Sequence, residues 1–137
     1  MNTPYEALLS VRQVEEQQAE LAMAEALGVV TEAEKALRRV RATRTAWLAE
    51  PVDASMSELM ADLECAERDG DRRLQQAERV AAEARAALLE RRRAREVVEK
   101  LHQAALAAAA LEAARRAQRE MDEFGSRAVG AFAREDR

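Results

Sequence analysis

SELMADLECAERDGDRRLQQAERVAAEARAALLERRRAREVVEKLHQAALAAAALEAARRAQREMDEFGSRAVG, residues 57–130, decides the fold. It contains no proline and is dominated by Ala, Leu, Glu, Arg and Gln. These residues lose little side-chain freedom in a helix, so the stretch reads as one long helix from about 57 to about 130. Acids precede bases by four positions at Glu64/Arg68, Asp69/Arg73, Glu96/Lys100, Glu112/Arg116 and Glu123/Arg127. That order favours ion pairs along an exposed helix face. A helix of this length, on the order of 110 Å, leaves its apolar stripe in water unless another helix covers it.

The preceding residues supply the cover. Thr3-Pro4-Tyr5-Glu6 starts a first helix, about 4–49, with a capping threonine, a proline at the first position and a glutamate to close a capping box. Its apolar residues fall into two seams. Ala7, Val11, Val14, Gln18 and Leu21 form one, and Met23, Ala26, Val30, Ala33, Leu37, Val40 and Trp47 the other. The offset between them predicts a change of winding near Leu27-Gly28-Val29-Val30. Pro51 ends the helix, residues 50–56 make a turn, and Ser55-Met56-Ser57-Glu58 is a second capping box.

Helices joined by so short a loop fold back antiparallel. A turn centred near Asp53 pairs positions whose numbers sum to about 106: Trp47 with Leu59, Val40 with Ala66, Val30 with Ala77, Tyr5 with Leu101. The second helix offers a seam at Leu63, Ala66, Ala77, Val80, Ala84, Ala87, Ala94, Val98, Leu101, Ala105 and Ala108. The expected fold is therefore all-α: one elongated, antiparallel two-helix coiled-coil hairpin. Beyond about residue 103 its C-terminal helix overhangs without a partner. Gly70 is a candidate break, because a mid-helix glycine costs roughly 1 kcal/mol relative to alanine.

Composition supports this class. Charged residues make up 35% and aromatics 3%, a balance suited to a coiled coil rather than a globular core. The net charge of −4 lacks the basic excess of a nucleic-acid binder. A single cysteine, Cys65, cannot close an internal disulfide and fits a reducing compartment. The opening MNTPYEALLSVRQ has neither a basic start nor an apolar run, and the longest apolar run, Ala104 to Leu111, is too short to span a bilayer. A soluble, intracellular protein without membrane insertion is expected.

No catalytic constellation is visible. His102 is the lone histidine, Cys65 has no histidine near it in the hairpin, and neither a phosphate loop nor a metal-ligand cluster occurs. No cofactor and no enzymatic activity are expected. Arg91-Arg92-Arg93-Ala94-Arg95 resembles a basic region, but it falls opposite Glu15 and Glu16, where charges balance across the coil. Residues 50–71 hold eight acids against Arg68, an acidic tip able to steer a basic partner. Trp47 beside it serves either as a core plug or as a binding anchor.

Three stretches carry a family resemblance: Tyr5-Glu6-Ala7-Leu8-Leu9-Ser10-Val11-Arg12 with Glu15–Leu21; Ala33–Val40 with Trp47 seven residues on; and Glu120-Met121-Asp122-Glu123-Phe124-Gly125-Ser126-Arg127-Ala128. Together they resemble the flagellar export protein family FliJ and its injectisome counterparts, the YscO family. The resemblance implies a non-enzymatic hairpin similar to the stalk of a rotary ATPase. It implies insertion into the pore of a hexameric export ATPase, contact with the cytoplasmic domain of the export-gate membrane protein, and handling of export chaperones. The implied location is cytoplasmic, peripheral to the inner-membrane export apparatus. Met121, Asp122, Glu123, Phe124 and Arg127 are the expected ATPase-docking residues. Val40, Trp47, Leu59 and Leu63 are expected at the gate, although no aromatic follows the turn here, where the flagellar members have one. Two other readings compete: a generic coiled-coil adaptor or oligomerisation rod with no ATPase, and a nucleic-acid-binding coil using Arg91 to Arg95.

Overall fold

The structure is a computed structural model that describes residues 3–49 and 56–135. It consists of α1, Glu6–Leu48, and α2, Met56–Glu135, packed as an all-α antiparallel hairpin. The turn assigned to residues 50–56, with Pro51 and the Ser55 cap, lies outside the described residues except for Met56. Packing divides the chain into two compact units, Arg12–Ala94 and Met1–Val11 with Arg95–Arg137.

In the first unit, the residues of α1 that turn towards α2 are Arg12, Glu16, Ala19, Met23, Ala26, Val30, Ala33, Leu37, Val40, Arg44 and Trp47, all half-buried or buried. They alternate steps of four and three without interruption. The winding change expected at Leu27–Val30 is therefore absent: Gly28 stands in open space on the outer face, and the heptad passes straight by it. The expected seam through Val11, Val14 and Leu21 is also wrong, since these side chains are 51%, 51% and 66% exposed. The physical reason is that two charged residues, Arg12 and Glu16, occupy the inward positions. Glu16 is neutralised across the interface by Arg92 and Arg12 within α1 by Glu15, and the two hold the register that an apolar reading assigns to their neighbours.

On α2 the inward heptad of this unit runs Met60, Leu63, Glu67, Gly70, Leu74, Ala77, Ala81, Ala84 and Leu88. Val80 and Ala87, expected to be covered by α1, are exposed instead. Alanine is spread over so many positions of α2 that several registers look equally apolar; Leu74 and Leu88 select the real one. The helix continues through Asp69-Gly70-Asp71. Gly70 has a packing role there: a Cβ on it would lie 2.9 Å from Leu37 Cδ1. The missing side chain thus makes room for Leu37, which is only 2% exposed.

In the second unit, Tyr5 and Leu9 are half-buried, as are Arg95, His102, Ala105 and Ala109; Val98 is buried. Leu101, an expected partner of Tyr5, is exposed. The Thr3 carbonyl accepts from the Glu6 N–H at 3.2 Å, while the Thr3 hydroxyl bonds His102 Nδ1 on α2. Every described residue from Ala110 to Arg134 is exposed, so burial on α2 ends at Ala109.

Candidate partner-docking surfaces

Two charged layers flank the apolar middle of the first unit. In one, Arg91 Nη1 meets Glu15 Oε2 at 3.1 Å and Arg92 Nε meets Glu16 Oε1 at 3.4 Å. Glu16 is 9% exposed, and Arg12 also reaches Glu15. Two of the run's four arginines, Arg91 and Arg92, thus pair with α1 as the charge balance predicts, while Arg95 pairs with Glu99 within α2. In the other layer, Arg44 Nη1 donates to Glu67 Oε2 at 2.6 Å, and Arg41 bridges Glu67 and Asp71 at 3.3 and 3.2 Å. The hydrogen bond from Arg44 lowers the Glu67 pKa below the usual carboxylate value, with Arg41 adding to it against a smaller opposing push from burial. Partly exposed ion pairs of this kind add little net stability, but they penalise slipped registers, where a charge would face alanine.

The expected gate residues sit near the turn. Val40 and Leu63 are half-buried in the seam, Trp47 is half-buried in the last turn of α1, and Leu59 is exposed in the first turns of α2. Trp47 is therefore neither sealed in the core nor free in solvent. Val40 lines a shallow depression with Ala33, Ala36, Ala66 and Gly70. A larger apolar hollow of about 590 Å³, which the sequence did not flag, lies between Ala26, Val29, Ala33 and Ala36 on α1 and Ala77 and Val80 on α2. Glu32, Arg72, Arg73 and Gln76 complete its lining.

The expected ATPase-docking residues lie on the overhang. Met121 and Phe124 are 69% and 77% exposed and share a depression with Ala117 and Gly125. Asp122 accepts from Gln118 Nε2 at 3.1 Å, while Glu123 and Arg127 are exposed. Val129 and Phe132, missed in the sequence, lengthen the bare apolar surface. Of the five expected helical ion pairs, Glu112–Arg116 closes at 2.7 Å; Asp69 turns to Arg72, and Arg68 donates to the Glu64 carbonyl. Among the described residues no cluster of three metal-ligating side chains occurs, and no helix is long and apolar enough to cross a membrane.

An antiparallel hairpin with a bare C-terminal extension matches the architecture implied by the resemblance, and the family comparison agrees. The family model described as flagellar FliJ protein matches residues 1–134. This chain belongs to the FliJ family. No curated protein and no solved structure matches it. FliJ proteins are structural components of the flagellar protein-export apparatus, and this FliJ chain is one of them. The injectisome YscO proteins are related to this family.

Proposed function

We propose that this chain is the non-enzymatic central stalk of the export apparatus. It docks in the pore of the hexameric export ATPase and links that ring to the cytoplasmic domain of the export gate and to export chaperones. It works on the cytoplasmic side, peripheral to the membrane, without cofactor or nucleic acid. The observation that carries this reading is the overhang: a FliJ-family helix that runs on past its last packed residue, Ala109, with Met121 and Phe124 bare. A solvated helix end has no use for a phenylalanine, whereas a docking surface does. Met121 and Phe124, three apart, present one face to the ring, and Asp122, Glu123 and Arg127 flank it. At the other end, Val40, Trp47, Leu59 and Leu63 serve the gate, with Trp47 as the anchor.

Truncation after Gln118, or Phe124→Ala, should abolish association with the export ATPase and the stimulation of its activity. Helicity of the remaining hairpin should be retained. Normal binding and stimulation by the truncated chain would sink the docking assignment. Trp47→Ala should weaken binding to the gate domain by about 2 kcal/mol, as for a hot-spot aromatic, while sparing the ATPase. Equal loss of both partners together with lost helicity would make Trp47 a core plug.

A further inference from the structure

The overhang carries an apolar heptad that α1 does not serve. Within the unit that contains it, the inward positions of α2 run Arg95, Val98, His102, Ala105 and Ala109. The same spacing continues through Glu112, Arg116, Arg119 and Glu123, all charged and exposed. The apolar heptad of the overhang is a different one: Ala110, Ala114, Ala117, Met121, Phe124 and Ala128, spaced four, three, four, three, four. It lies on nearly the opposite face, roughly 150° round the helix from the positions that meet α1. Its two large members are among the most exposed apolar side chains of the protein.

This stripe is complementary to itself when reversed. Set two overhangs antiparallel about a two-fold axis midway between Ala117 and Met121. Ala117 then meets the partner's Met121, Ala114 meets the partner's Phe124, and Ala110 meets the partner's Ala128. Each large side chain faces an alanine, the arrangement in which knobs fill holes. Charge points the same way. Residues 110–119 carry Arg115, Arg116 and Arg119 against Glu112; residues 120–129 carry Glu120, Asp122 and Glu123 against Arg127. Antiparallel pairing lays the basic half of one helix along the acidic half of the other. Parallel pairing would set like charges together, Phe124 against Phe124 and alanine against alanine.

We propose that the overhang pairs antiparallel with the overhang of a second copy of this chain, forming a two-fold dimer through Ala110–Ala128. An isologous contact of this kind closes on itself and does not propagate. The dimer covers the stripe when no other partner holds it. It goes beyond the ATPase assignment, and the isolated full chain tests it with no ATPase present, so either can fail without the other.

Sedimentation of the full chain should show mass doubling as concentration rises. Arg115→Glu/Arg116→Glu/Arg119→Glu makes the overhang acidic throughout, and Glu120→Arg/Asp122→Arg/Glu123→Arg makes it basic throughout. Each variant alone should stay monomeric, and an equimolar mixture should recover the doubled mass. In a Cys65→Ser background, chains with Ala117→Cys should form disulfides with chains carrying Met121→Cys far faster than with one another. A wild-type chain that stays monomeric at every concentration would overturn the proposal, leaving the stripe to a different protein. Dimerisation unaffected by either charge reversal, or preferential linking of Ala117→Cys to itself, would also overturn it.

Discussion

Leu37 and Phe124 are both large apolar residues on long, alanine-rich helices, yet Leu37 is 2% exposed and Phe124 is 77% exposed. The middle of the hairpin, Arg12–Ala94, and the overhang beyond Ala109 are built from the same residue types and have the same local preference for helix. What separates them is the partner. Around Leu37 the opposing helix supplies a glycine-sized gap at Gly70 and charge clamps on either side. Around Phe124 nothing from α1 arrives. Helix propensity therefore accounts for the secondary structure of both regions, and only packing distinguishes a core from a docking surface.

The contrast is sharpest in stability. Leu37→Ala removes the most deeply buried side chain among the described residues, whose other buried apolar side chains are the small Ala26, Ala77, Ala81 and Val98. It should cost about 3 kcal/mol, in the usual range for a buried leucine. Phe124→Ala, measured at concentrations too low for chains to pair, should shift stability by less than about 0.5 kcal/mol. Chemical denaturation of both variants checks the pair. A comparable loss for Phe124→Ala would mean that the overhang packs within its own chain, and the division into core and docking surface would collapse.

Sequence resolved these regions unevenly. The two helices, their antiparallel sense, the overhang and the arginine–glutamate pairing across residues 15–16 and 91–92 were all legible, because they rest on proline, capping residues and charge. The inward register was not. An apolar count favours Val11, Val14 and Leu21, which are exposed, over Arg12 and Glu16, which face α2. Nothing in a single helix tells a charged residue that will find its counter-ion from one that faces water. The packing role of Gly70 was hidden for a similar reason. Its intrinsic helix penalty is visible in the sequence, but the leucine that needs its space sits 33 positions earlier on the other helix. The exposed stripe at Met121 and Phe124 was legible as apolar spacing, while its extension to Val129 and Phe132 required the structure.

Gly70 gives a finer test of what the partner contributes. Alone, a helical glycine replaced by alanine gains roughly 1 kcal/mol. Here the new methyl meets Leu37 Cδ1 at 2.9 Å, and Leu37 is too enclosed to move freely. Overpacking costs of 1–3 kcal/mol are typical, roughly enough to cancel or reverse the gain. Gly70→Ala should therefore fail to stabilise the wild-type chain but stabilise the Leu37→Ala chain by about 1 kcal/mol. A double-mutant cycle reads the coupling directly. Equal gains in both backgrounds would show that Leu37 yields readily and that the close approach carries no constraint. Gly125, on the overhang, has nothing near its missing side chain. Gly125→Ala should show the plain propensity gain, extending the contrast between the two regions.

The smallest expected effect belongs to the charge layer at Glu67. Its pKa is lowered chiefly by the hydrogen bond from Arg44, with Arg41 contributing as well. A carboxylate whose folded pKa lies below its unfolded value binds fewer protons when folded. The stability it contributes is complete above the unfolded pKa and is lost as pH falls through the folded one. The hairpin should therefore weaken on acidification through and below the ordinary glutamate range. Glu67→Gln should remove part of that dependence while leaving a neutral hydrogen-bonding side chain beside Arg44. Thermal melts at a series of acidic pH values would show it as a shallower fall in midpoint for the variant than for the wild type. The overhang offers the control. Glu123 is exposed, and no ion pair is found between it and Arg127, four positions on. Glu123→Gln should leave the slope unchanged in the dilute monomer. If Glu67→Gln and Glu123→Gln had the same slope, the cross-helix clamp would contribute no more than a solvated carboxylate. The register would then rest on Leu37, Leu74 and Leu88 and on the other charge layer, at Glu15 and Glu16.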